Sequence, residues 1–483
     1  MKKPNILWIC TDQQRFDTLG CYGNKHTHTP NLDKLAKEGV LFENAFCQSP
    51  VCSPSRSSFL TGRYPRTTGC RENGQRIFTS EKVISKTLHE NGYVCGLSGK
   101  YHINPANPDF FPQGEVRIDD GYDVFEWSHG HAYKHASNAY QRWLNDIGVE
   151  YKKEEYDFCK WIEKGMPEEY HQTTWCVERA KSFVDSAKNF DSPWMFSINI
   201  FDPHNPFDPP QDYLERYTKN LNDIPLPNYE EGELANKPEY QKLLHQSCLN
   251  VNPENIKTLL PAKMSDSDHR YVKAAYWAMC DLIDSQVGKM VEYLKEIGQY
   301  DNTIIIFNSD HGEMLGDHGL YYKAINMYDS AVHIPLIIHY PAKLKPRKVK
   351  AVLELMHIAP TLLEAANLPI EKGMQTTSIW DQLINEKTIE SEDVYCEYYN
   401  SLKENRISPR ECYGTMVRNE KFKIILYHGT SEGELYDLIN DPSETHNLFD
   451  NPEYTVQKTD MLVRLCNKMS WTVDPLPIRE GAF

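Results

Sequence analysis

The segment NILWICTD, residues 5–12, is the stretch that decides the fold class. Its apolar run from Asn5 to Thr11 does not alternate with polar residues, which is the pattern of a strand buried on both faces of a sheet. The run ends at Asp12, so a carboxylate follows the carboxyl end of the strand. Strands of this kind are typical of parallel sheets that helices cover on both faces.

Similar apolar segments recur along the chain and alternate with helical ones. They predict an α/β fold with a mostly parallel sheet flanked by helices. The predicted strands are residues 5–11, 93–97, 194–200, 303–308 and 336–340. The predicted helices are residues 31–39, 55–61, 81–91 and 268–297. Because ligands bind beyond the carboxyl ends of such strands, we expect the polar residues there to converge on one site. Those residues are Asp12, His204, Asp310 and His311.

The last part of the chain has a different pattern, with short strands separated by turns. The strands are predicted at residues 394–399, 413–418 and 422–427, and a terminal helix at 455–469. We therefore predict a large domain over residues 1–385 and a smaller α+β subdomain over residues 386–483, with a small antiparallel sheet and the terminal helix. Residues 205–265 are rich in proline, asparagine and charge, and we expect them to form a long surface excursion.

The composition excludes some classes of partner. The chain has 483 residues and a formal net charge of −16, which argues against a nucleic-acid-binding protein. A site for an anion must therefore be a local basic pocket, assisted by a metal. No stretch approaches the roughly 20 apolar residues that a membrane span needs, so we expect no membrane partner.

The cysteines indicate the compartment. There are 13 of them, scattered through a long chain without a C-x-x-C pair, unlike the dense frameworks of secreted disulfide proteins. We expect most to be free and buried, as in a reducing compartment. The apolar run near the start is too short for the core of a signal peptide, so the expected location is the cytoplasm. The alternative is the periplasm or the exterior, if a signal peptide has been removed.

The most specific motif is CSPSR at residues 52–56, followed by LTGR at residues 60–63. Cys52 lies next to a predicted helix start, where the helix dipole would favour a thiolate nucleophile. The motif resembles the signature of the sulfatase family, C-x-P-S-R followed by L-T-G-R. The resemblance extends over most of the chain and includes the carboxyl-terminal ELYDL segment, residues 434–438.

The resemblance implies the fold of the alkaline phosphatase superfamily, with residues 1–385 as the catalytic domain. It also implies that a maturation enzyme oxidises Cys52 to formylglycine, the hallmark of type I sulfatases. The aldehyde then hydrates to a geminal diol that acts as the nucleophile. The reaction would be hydrolysis of a sulfate monoester.

The segment SDHGE, residues 309–313, follows a predicted strand and offers a carboxylate and an imidazole, which suit a divalent cation. Its similarity to the family's D-H-G-E segment implies that Asp310 and His311 are metal ligands. Asp12, Gln13 and the residue derived from Cys52 complete the implied set. Many sulfatases carry a second aspartate where this chain has Gln13. Calcium is the first choice of metal, with magnesium or manganese as alternatives. Whether His318 supports the ligands is left open.

Further resemblances supply the implied catalytic residues. Lys100 and His102, in a G-K-x-H segment, would bind a sulfate oxygen and act as a base toward the diol. His204 would face the bridging oxygen of the ester. Arg56 and Lys323 would add positive charge around the sulfate.

Two alternatives remain open. A phosphonate monoester or phosphodiester hydrolase on the same scaffold is favoured by Gln13 and opposed by Lys100 and His102. A catalytically silent carbohydrate-binding relative is opposed by the complete set of charged residues. The expected substrate is a small sulfated saccharide, and the oligomeric state is left open. Candidate substrate-pocket residues are Arg71, Asn73, Gln75, His129 and His131.

Overall fold

The computed structural model describes residues 3–106, 114–246, 259–400 and 412–481. The strands in these ranges are β1 (Asn5–Thr11), β2 (Val40–Phe46), β3 (Val94–Gly99), β4 (Val124–Trp127), β5 (Glu154–Tyr156), β6 (Cys159–Lys164), β7 (Trp194–Ile200), β8 (Thr303–Ser309), β9 (His333–His339), β10 (Arg347–Glu354), β11 (Val394–Asn400), β12 (Cys412–Arg418), β13 (Phe422–Tyr427) and β14 (Gly433–Asp437). The α-helices there are α1 (Pro30–Glu38), α2 (Cys52–Thr61), α3 (Pro65–Thr68), α4 (Ile84–Glu90), α5 (Ala139–Asp146), α6 (Gln172–Ala187), α7 (Gln211–Thr218), α8 (Glu239–Gln246), α9 (Asp266–Glu296), α10 (Asp329–Val332), α11 (Ile358–Ala365), α12 (Trp380–Ile384) and α13 (Thr455–Trp471).

The central sheet has eight strands in the order β10-β2-β9-β8-β1-β7-β3-β4. Strand β9 pairs antiparallel with β8 and β2, and the other neighbours in the sheet pair parallel. The carboxyl ends of β1, β3, β7 and β8 therefore meet at one edge, as expected for a mostly parallel sheet.

Strand β1 is buried on both faces, as its apolar run predicts. Ile6 and Trp8 pack into the hydrophobic core on one face of the sheet, whereas Leu7 and Ile9 pack into the core on the other. Helix α9 contacts both α1 and α6, and the three cover the second face, whereas α2, α4 and α11 form the layer on the first. None of the helices among the described residues is long and apolar enough to cross a membrane.

The carboxyl-terminal part forms a separate antiparallel sheet in the order β11-β12-β13-β14, and α13 packs against it. This confirms the predicted small sheet and terminal helix, while the domain boundary at residue 385 stays a prediction. The small sheet also reaches the segment before α2, because the Glu397 amide donates to the Gln48 carbonyl at 3.0 Å.

Two sequence predictions need correction. Helix α2 begins at Cys52, not at Ser55, because the Ser55 amide donates to the Val51 carbonyl at 3.1 Å and closes a turn that already includes Cys52. Residues 205–265 are not simply a surface excursion. Helix α7 packs against α9 and buries Tyr213 and Leu214 there, because its apolar residues share one face. Residues 247–258 lie outside the described residues.

The cysteines follow the prediction in the described part of the chain. Their thiols are free, and all those with described side chains are buried except Cys21 and Cys466. Most of these cysteines therefore act as small apolar residues of the core.

Candidate active site

The strand ends bring the predicted site residues together. The backbone ladder continues one residue beyond the strands, since the Asp310 amide donates to the Thr11 carbonyl at 3.1 Å and the Lys100 amide to the Asn199 carbonyl at 2.9 Å. These bonds fix Asp310 after β8 and Lys100 after β3. The first turn of α2 delivers Cys52 to the same place, so the side chains lie on rigid elements.

The Cys52 thiol lies at the centre of this cluster and is 1% exposed. Its sulfur is 3.0 Å from Lys323 Nζ, 3.2 Å from His311 Nε2 and 3.7 Å from both Lys100 Nζ and Asp12 Oδ1. Burial and the Asp12 carboxylate raise the pKa of the thiol, but the positive charges of Lys100, Lys323 and His311 outweigh them and lower it to about 5. The site therefore stabilises negative charge at this position.

Arg56 lies beneath the aspartates and is buried. Its Nε donates to Asp310 Oδ2 at 2.8 Å, and its Nη1 to the Lys100 carbonyl at 2.7 Å. Its Nη2 is 3.5 Å from Asp12 Oδ2. The guanidinium thus holds the carboxylates and the Lys100 backbone in place. Its predicted contact with a sulfate oxygen stays a prediction.

The donor atoms fit a divalent cation. One ligand atom from each of Asp12, Cys52, Asp310 and His311 lies within 4.8 Å of the others, and all four residues are buried. Gln13 adds an independent observation, since its Oε1 is buried and has no hydrogen-bond partner among the described residues. Carboxylate, amide and imidazole donors suit Ca²⁺, Mg²⁺ or Mn²⁺.

Asp12 is charged despite its complete burial. Burial raises the pKa of this carboxyl, but the nearby positive charges, led by Lys100, lower it well below its usual range. Lys100 Nζ lies 2.5 Å from Asp12 Oδ2. The Lys100 ammonium is therefore paired as well as placed beside Cys52.

His102 lies in a left-handed backbone conformation with φ of 53°. Its ring makes an edge-on contact with His129, with 4.4 Å between the centroids, and its Nδ1 has no hydrogen-bond partner among the described residues. Burial and the neighbouring charges of Lys100 and Arg56 lower the pKa of His102 well below its usual value. The imidazole is therefore neutral near pH 7 and can accept a proton.

His204 and Lys323 face the same cluster. His204 Nδ1 donates to the Asn205 carbonyl at 2.6 Å, which leaves Nε2 as the other site for a proton. Burial and Lys323 lower the pKa of His204 well below its usual value. Lys323 Nζ lies 3.3 Å from His311 Nε2, and its side chain is 14% exposed. His204 is buried, whereas Lys323 keeps partial contact with solvent.

The predicted pocket loop after α2 lies beside the first turn of that helix, which carries Cys52. Asn73 Oδ1 accepts a hydrogen bond from the Ser53 amide at 2.9 Å. Arg71 is exposed, and its guanidinium stacks over the Tyr399 ring at 4.6 Å. Gln75 bonds to its own loop, as its amide oxygen accepts from the Arg71 amide at 3.1 Å.

Two other predicted histidines point elsewhere. His131 is buried and pairs with Asp208 at 3.0 Å. His318 pairs with Glu233 at 2.5 Å and stacks on Tyr328, with 4.0 Å between the centroids. These contacts give His318 a structural partner, and none of them is to the predicted metal ligands.

The sequence reasoning missed two buried glutamates beside the site. Glu115 accepts hydrogen bonds from the amides of His102 and Ile103, each at 2.7 Å, from the Asn104 amide at 3.0 Å and from Trp127 Nε1 at 3.0 Å. No motif marks Glu115, because its role comes from a loop that folds back. Glu313, the second, lies in the SDHGE segment and is also fully buried.

Comparison with known proteins identifies the family of the chain. The sequence profile of the sulfatase family matches residues 4–368, and the profile described as N-sulphoglucosamine sulphohydrolase, C-terminal, matches residues 316–470. An arylsulfatase of Clostridium perfringens is 31% identical over 494 residues, which cover 96% of this chain and 94% of the relative.

Solved structures match the fold over nearly the whole chain. A phosphonate monoester hydrolase of Agrobacterium radiobacter has a TM-score of 0.84 at 22% identity, covering 98% of this chain and 97% of the other. A protein in complex with its substrate D-glucosamine-2-N,6-O-disulfate has a TM-score of 0.75 at 23% identity, covering 99% and 100%. The family profile spans most of the chain and the relative above exceeds 30% identity, so this chain belongs to the sulfatase family and is a sulfuric ester hydrolase.

Proposed function

We propose that the protein hydrolyses a sulfate monoester of a small saccharide, using a formylglycine derived from Cys52 and a divalent cation, with Ca²⁺ as the first choice. The observation that carries the proposal is the position of the Cys52 side chain, which lies between the carboxylate of Asp12 and the cations Lys100 and Lys323. In the active form, a hydroxyl of the hydrated aldehyde would take the place of the sulfur.

The cation would be held by Asp12, Gln13, Asp310, His311 and the modified residue 52. When bound, it would supply positive charge that offsets the repulsion between an oxygen nucleophile and the anionic sulfate. The chain's own charges add to this effect, because Lys100 and Lys323 both approach the position of the nucleophile.

The first step is attack on sulfur by one hydroxyl of residue 52, in line with the bond to the alcohol; this hydroxyl first releases its proton to solvent, because Lys100 and Lys323 stabilise negative charge at its position. That bond breaks, and the electron pair leaves with the alkoxide. His204 and Lys323 are the groups placed to protonate or stabilise the leaving oxygen. The single proton of the neutral His204 ring is held on Nδ1 by the Asn205 carbonyl, so the Lys323 ammonium would supply the proton for the alkoxide and His204 would face it with Nε2.

The second step releases sulfate. The remaining hydroxyl of residue 52 gives its proton to His102, the carbonyl bond forms again, and sulfate leaves with the electron pair of the broken carbon–oxygen bond. The neutral imidazole and unpartnered Nδ1 of His102 support this role. A serine at the same position lacks the second hydroxyl and has no such route.

A saccharide is the proposed alcohol. The support comes from the glucosamine disulfate bound to one structural neighbour and from the exposed Arg71 and Asn73 beside the nucleophile helix. An exposed polar loop with an arginine suits hydroxyl and anionic groups of a sugar.

Two measurements test the proposal. Peptide mass spectrometry of the Cys52 segment, after expression with a formylglycine-generating enzyme, should show aldehyde in place of thiol. A screen of sulfated monosaccharides and disaccharides should then show release of sulfate that a chelator abolishes and Ca²⁺ restores. A fully active enzyme with an intact Cys52 thiol would contradict the formylglycine mechanism.

A phosphonate monoester hydrolase is the second candidate, and Gln13 is the residue that favours it. Lys100 and His102 both lie at the site and oppose it, because the sulfate mechanism uses both. The comparison of an aryl sulfate with an aryl phosphonate as substrates separates the two activities by their kcat/KM values.

A further inference from the structure

Glu313 is a fully buried carboxylate that lies against the side chain of Gln13. One of its oxygens, Oε1, accepts hydrogen bonds from the amides of Leu315, at 3.0 Å, and Tyr322. The other, Oε2, accepts from Gln13 Nε2. Both residues are 0% exposed, so water does not compete for these atoms.

The backbone of Gln13 is also held in place. Its amide donates to Asp310 Oδ1 at 3.0 Å, and its carbonyl accepts from the hydroxyl of Tyr276. Its φ of 68° lies in the left-handed region, which few residues other than glycine adopt. With the backbone of Gln13 fixed, its side-chain amide can still adopt two orientations, which exchange the positions of Oε1 and Nε2.

A carboxylate accepts hydrogen bonds and donates none, whereas an amide has one accepting and one donating end. The amide of Gln13 must therefore turn its nitrogen to Glu313, which leaves Oε1 on the other side. That oxygen is the atom of Gln13 that has no hydrogen-bond partner among the described residues.

We propose that Glu313 sets the orientation of the Gln13 amide, so that its oxygen and not its nitrogen is presented to the cation. The inference rests on the proposed cation site. It explains how a neutral side chain serves at a position where many sulfatases have an aspartate. The negative charge is on Glu313, behind Gln13 as seen from the cation, and this charge orients the amide of Gln13. Glu313 is thus a positioning residue that need not touch the cation.

The substitution Glu313→Gln tests this with almost no change of shape. The new oxygen is expected to stay with the two backbone donors, Leu315 and Tyr322, because each needs an acceptor. The new amide nitrogen then lies opposite Gln13 Nε2. Because both nitrogens are hydrogen-bond donors, the Gln13 amide is expected to rotate by about half a turn and to present its oxygen to position 313. Its nitrogen would then point at the cation, and the affinity should fall.

The double variant Gln13→Glu with Glu313→Gln is the matched control, since it exchanges the carboxylate and the amide and keeps the net charge. The new amide at position 313 can donate to the new carboxylate at position 13, whose other oxygen still faces the cation. Glu115→Gln controls for the loss of a buried carboxylate that accepts amide hydrogens but contacts none of the proposed ligands.

The experiment is calorimetric titration of the chelator-treated full-length protein with CaCl₂, with metal content checked by mass spectrometry. We expect Glu313→Gln to raise Kd by about 10-fold to 100-fold, as is usual for groups that orient metal ligands. The double variant should recover most of the affinity, and Glu115→Gln should keep it. Gln13→Ala, which removes the ligand oxygen itself, should bind as weakly as Glu313→Gln.

Three results would overturn the inference. Unchanged affinity in Glu313→Gln or in Gln13→Ala would do so while leaving the sulfatase function intact. A double variant as weak as Glu313→Gln would show that the charge of Glu313 matters and the amide orientation does not. A wild-type protein that binds no divalent cation would overturn the proposed cation site as well, which makes the two failures distinguishable.

Discussion

At the scale of single residues, the site is a balance between burial and charge. Asp12 and Lys100 are both buried, and each offsets the cost of burying the other through their contact at 2.5 Å. Cys52 lies beside both, so its chemistry is set by groups that are themselves held rigidly. Substitutions here should change reactivity more than folding when they conserve shape.

Replacement of Cys52 by serine should stop catalysis after the first step. The serine hydroxyl can accept a sulfo group, but it cannot expel sulfate, because no second hydroxyl is available to restore a carbonyl. We expect a single partial turnover and a protein whose mass includes one sulfo group. Steady multiple turnover of an aryl sulfate by the purified variant would contradict the proposed mechanism.

Replacement of Lys100 by alanine should distinguish sulfate from phosphonate chemistry. The variant loses a charge 3.7 Å from the nucleophile position, where we place a sulfate oxygen. We expect kcat/KM for an aryl sulfate to fall by about 100-fold or more, the effect typical of losing one preorganised donor. The control is the activity of the same preparation on an aryl phosphonate, which should fall far less. Equal losses on both substrates would remove the argument for sulfate.

Glu115 should make stability depend on pH. Burial raises the pKa of this carboxyl to about 7, although its four N–H donors act in the opposite direction. Between about pH 4.3, the unfolded value, and pH 7, the folded protein holds a proton that the unfolded chain has released. The contribution of Glu115 to stability is therefore present below that window and decreases as the pH rises through it, by at most about 1.4 kcal/mol per unit.

The variant Glu115→Gln has no such proton and is the reference. Urea unfolding of both proteins at pH 5 and pH 7.5 should show the wild type losing stability relative to the variant at the higher pH. A difference between the two proteins that does not change with pH would show that the carboxyl titrates normally.

At the scale of elements, the ends of strands carry the proposed site residues, and their geometry is strict. Gly99, the last residue of β3, has φ of 93°, and a Cβ there would lie 1.9 Å from the Asn199 carbonyl oxygen. Only glycine allows β3 and β7 to approach this closely just before Lys100. The end of the strand is therefore as constrained as Lys100, the proposed catalytic residue that follows it.

Replacement of Gly99 by alanine should accordingly destabilise the fold and displace Lys100. We expect a loss of more than about 4 kcal/mol in the free energy of unfolding, with loss of activity. Gly92→Ala is the matched control, since Gly92 has a similar φ of 87° but no atom within 4 Å of the added Cβ. The control should lose only about 1–2 kcal/mol, the cost of the backbone conformation. Equal melting temperatures for the two variants would contradict this.

The elements that the sequence predicted well are those with strong local signals. Strands β1 and β7 have the predicted limits, because continuous apolar runs mark buried strands clearly. Strand β2, which lies inside the sheet, was missed, since Glu43 and Asn44 interrupt its apolar pattern at a β-bulge opposite β9 and β10. The side chains after the strands were predicted through motifs, whereas Glu115 was not, because its contacts depend on a loop that returns from elsewhere.

At the scale of the whole molecule, the small sheet is tied to the large one by buried charges. Lys423 on β13 is 0% exposed and lies 2.5 Å from both Asp329 Oδ1 and Glu444 Oε1. Asp329 begins α10, directly before β9 of the central sheet. The ammonium therefore pairs with two acidic side chains where the sheets meet.

Replacement of Lys423 by methionine should weaken the whole protein. It would leave the buried Glu444 carboxyl without its cation, at a cost of about 3–5 kcal/mol, whereas Asp329 would keep Arg418 at 3.3 Å. Lys345→Met is the control, because Lys345 also makes a short ion pair, at 2.6 Å with Glu386, but is 72% exposed. The control should change stability by less than about 1 kcal/mol. Thermal unfolding followed by circular dichroism measures both, and similar midpoints would contradict the importance of burial.

Every residue of α2, from Cys52 to Thr61, is buried in the folded protein. A maturation enzyme that must bind this segment to oxidise Cys52 cannot reach it in the folded protein. The oxidation we propose must then take place while the polypeptide is still being made or before it has collapsed. The rate of synthesis and the supply of the maturation enzyme would thus determine the fraction of molecules that becomes active. Molecules that fold with an unmodified Cys52 thiol would not be activated by later treatment with that enzyme.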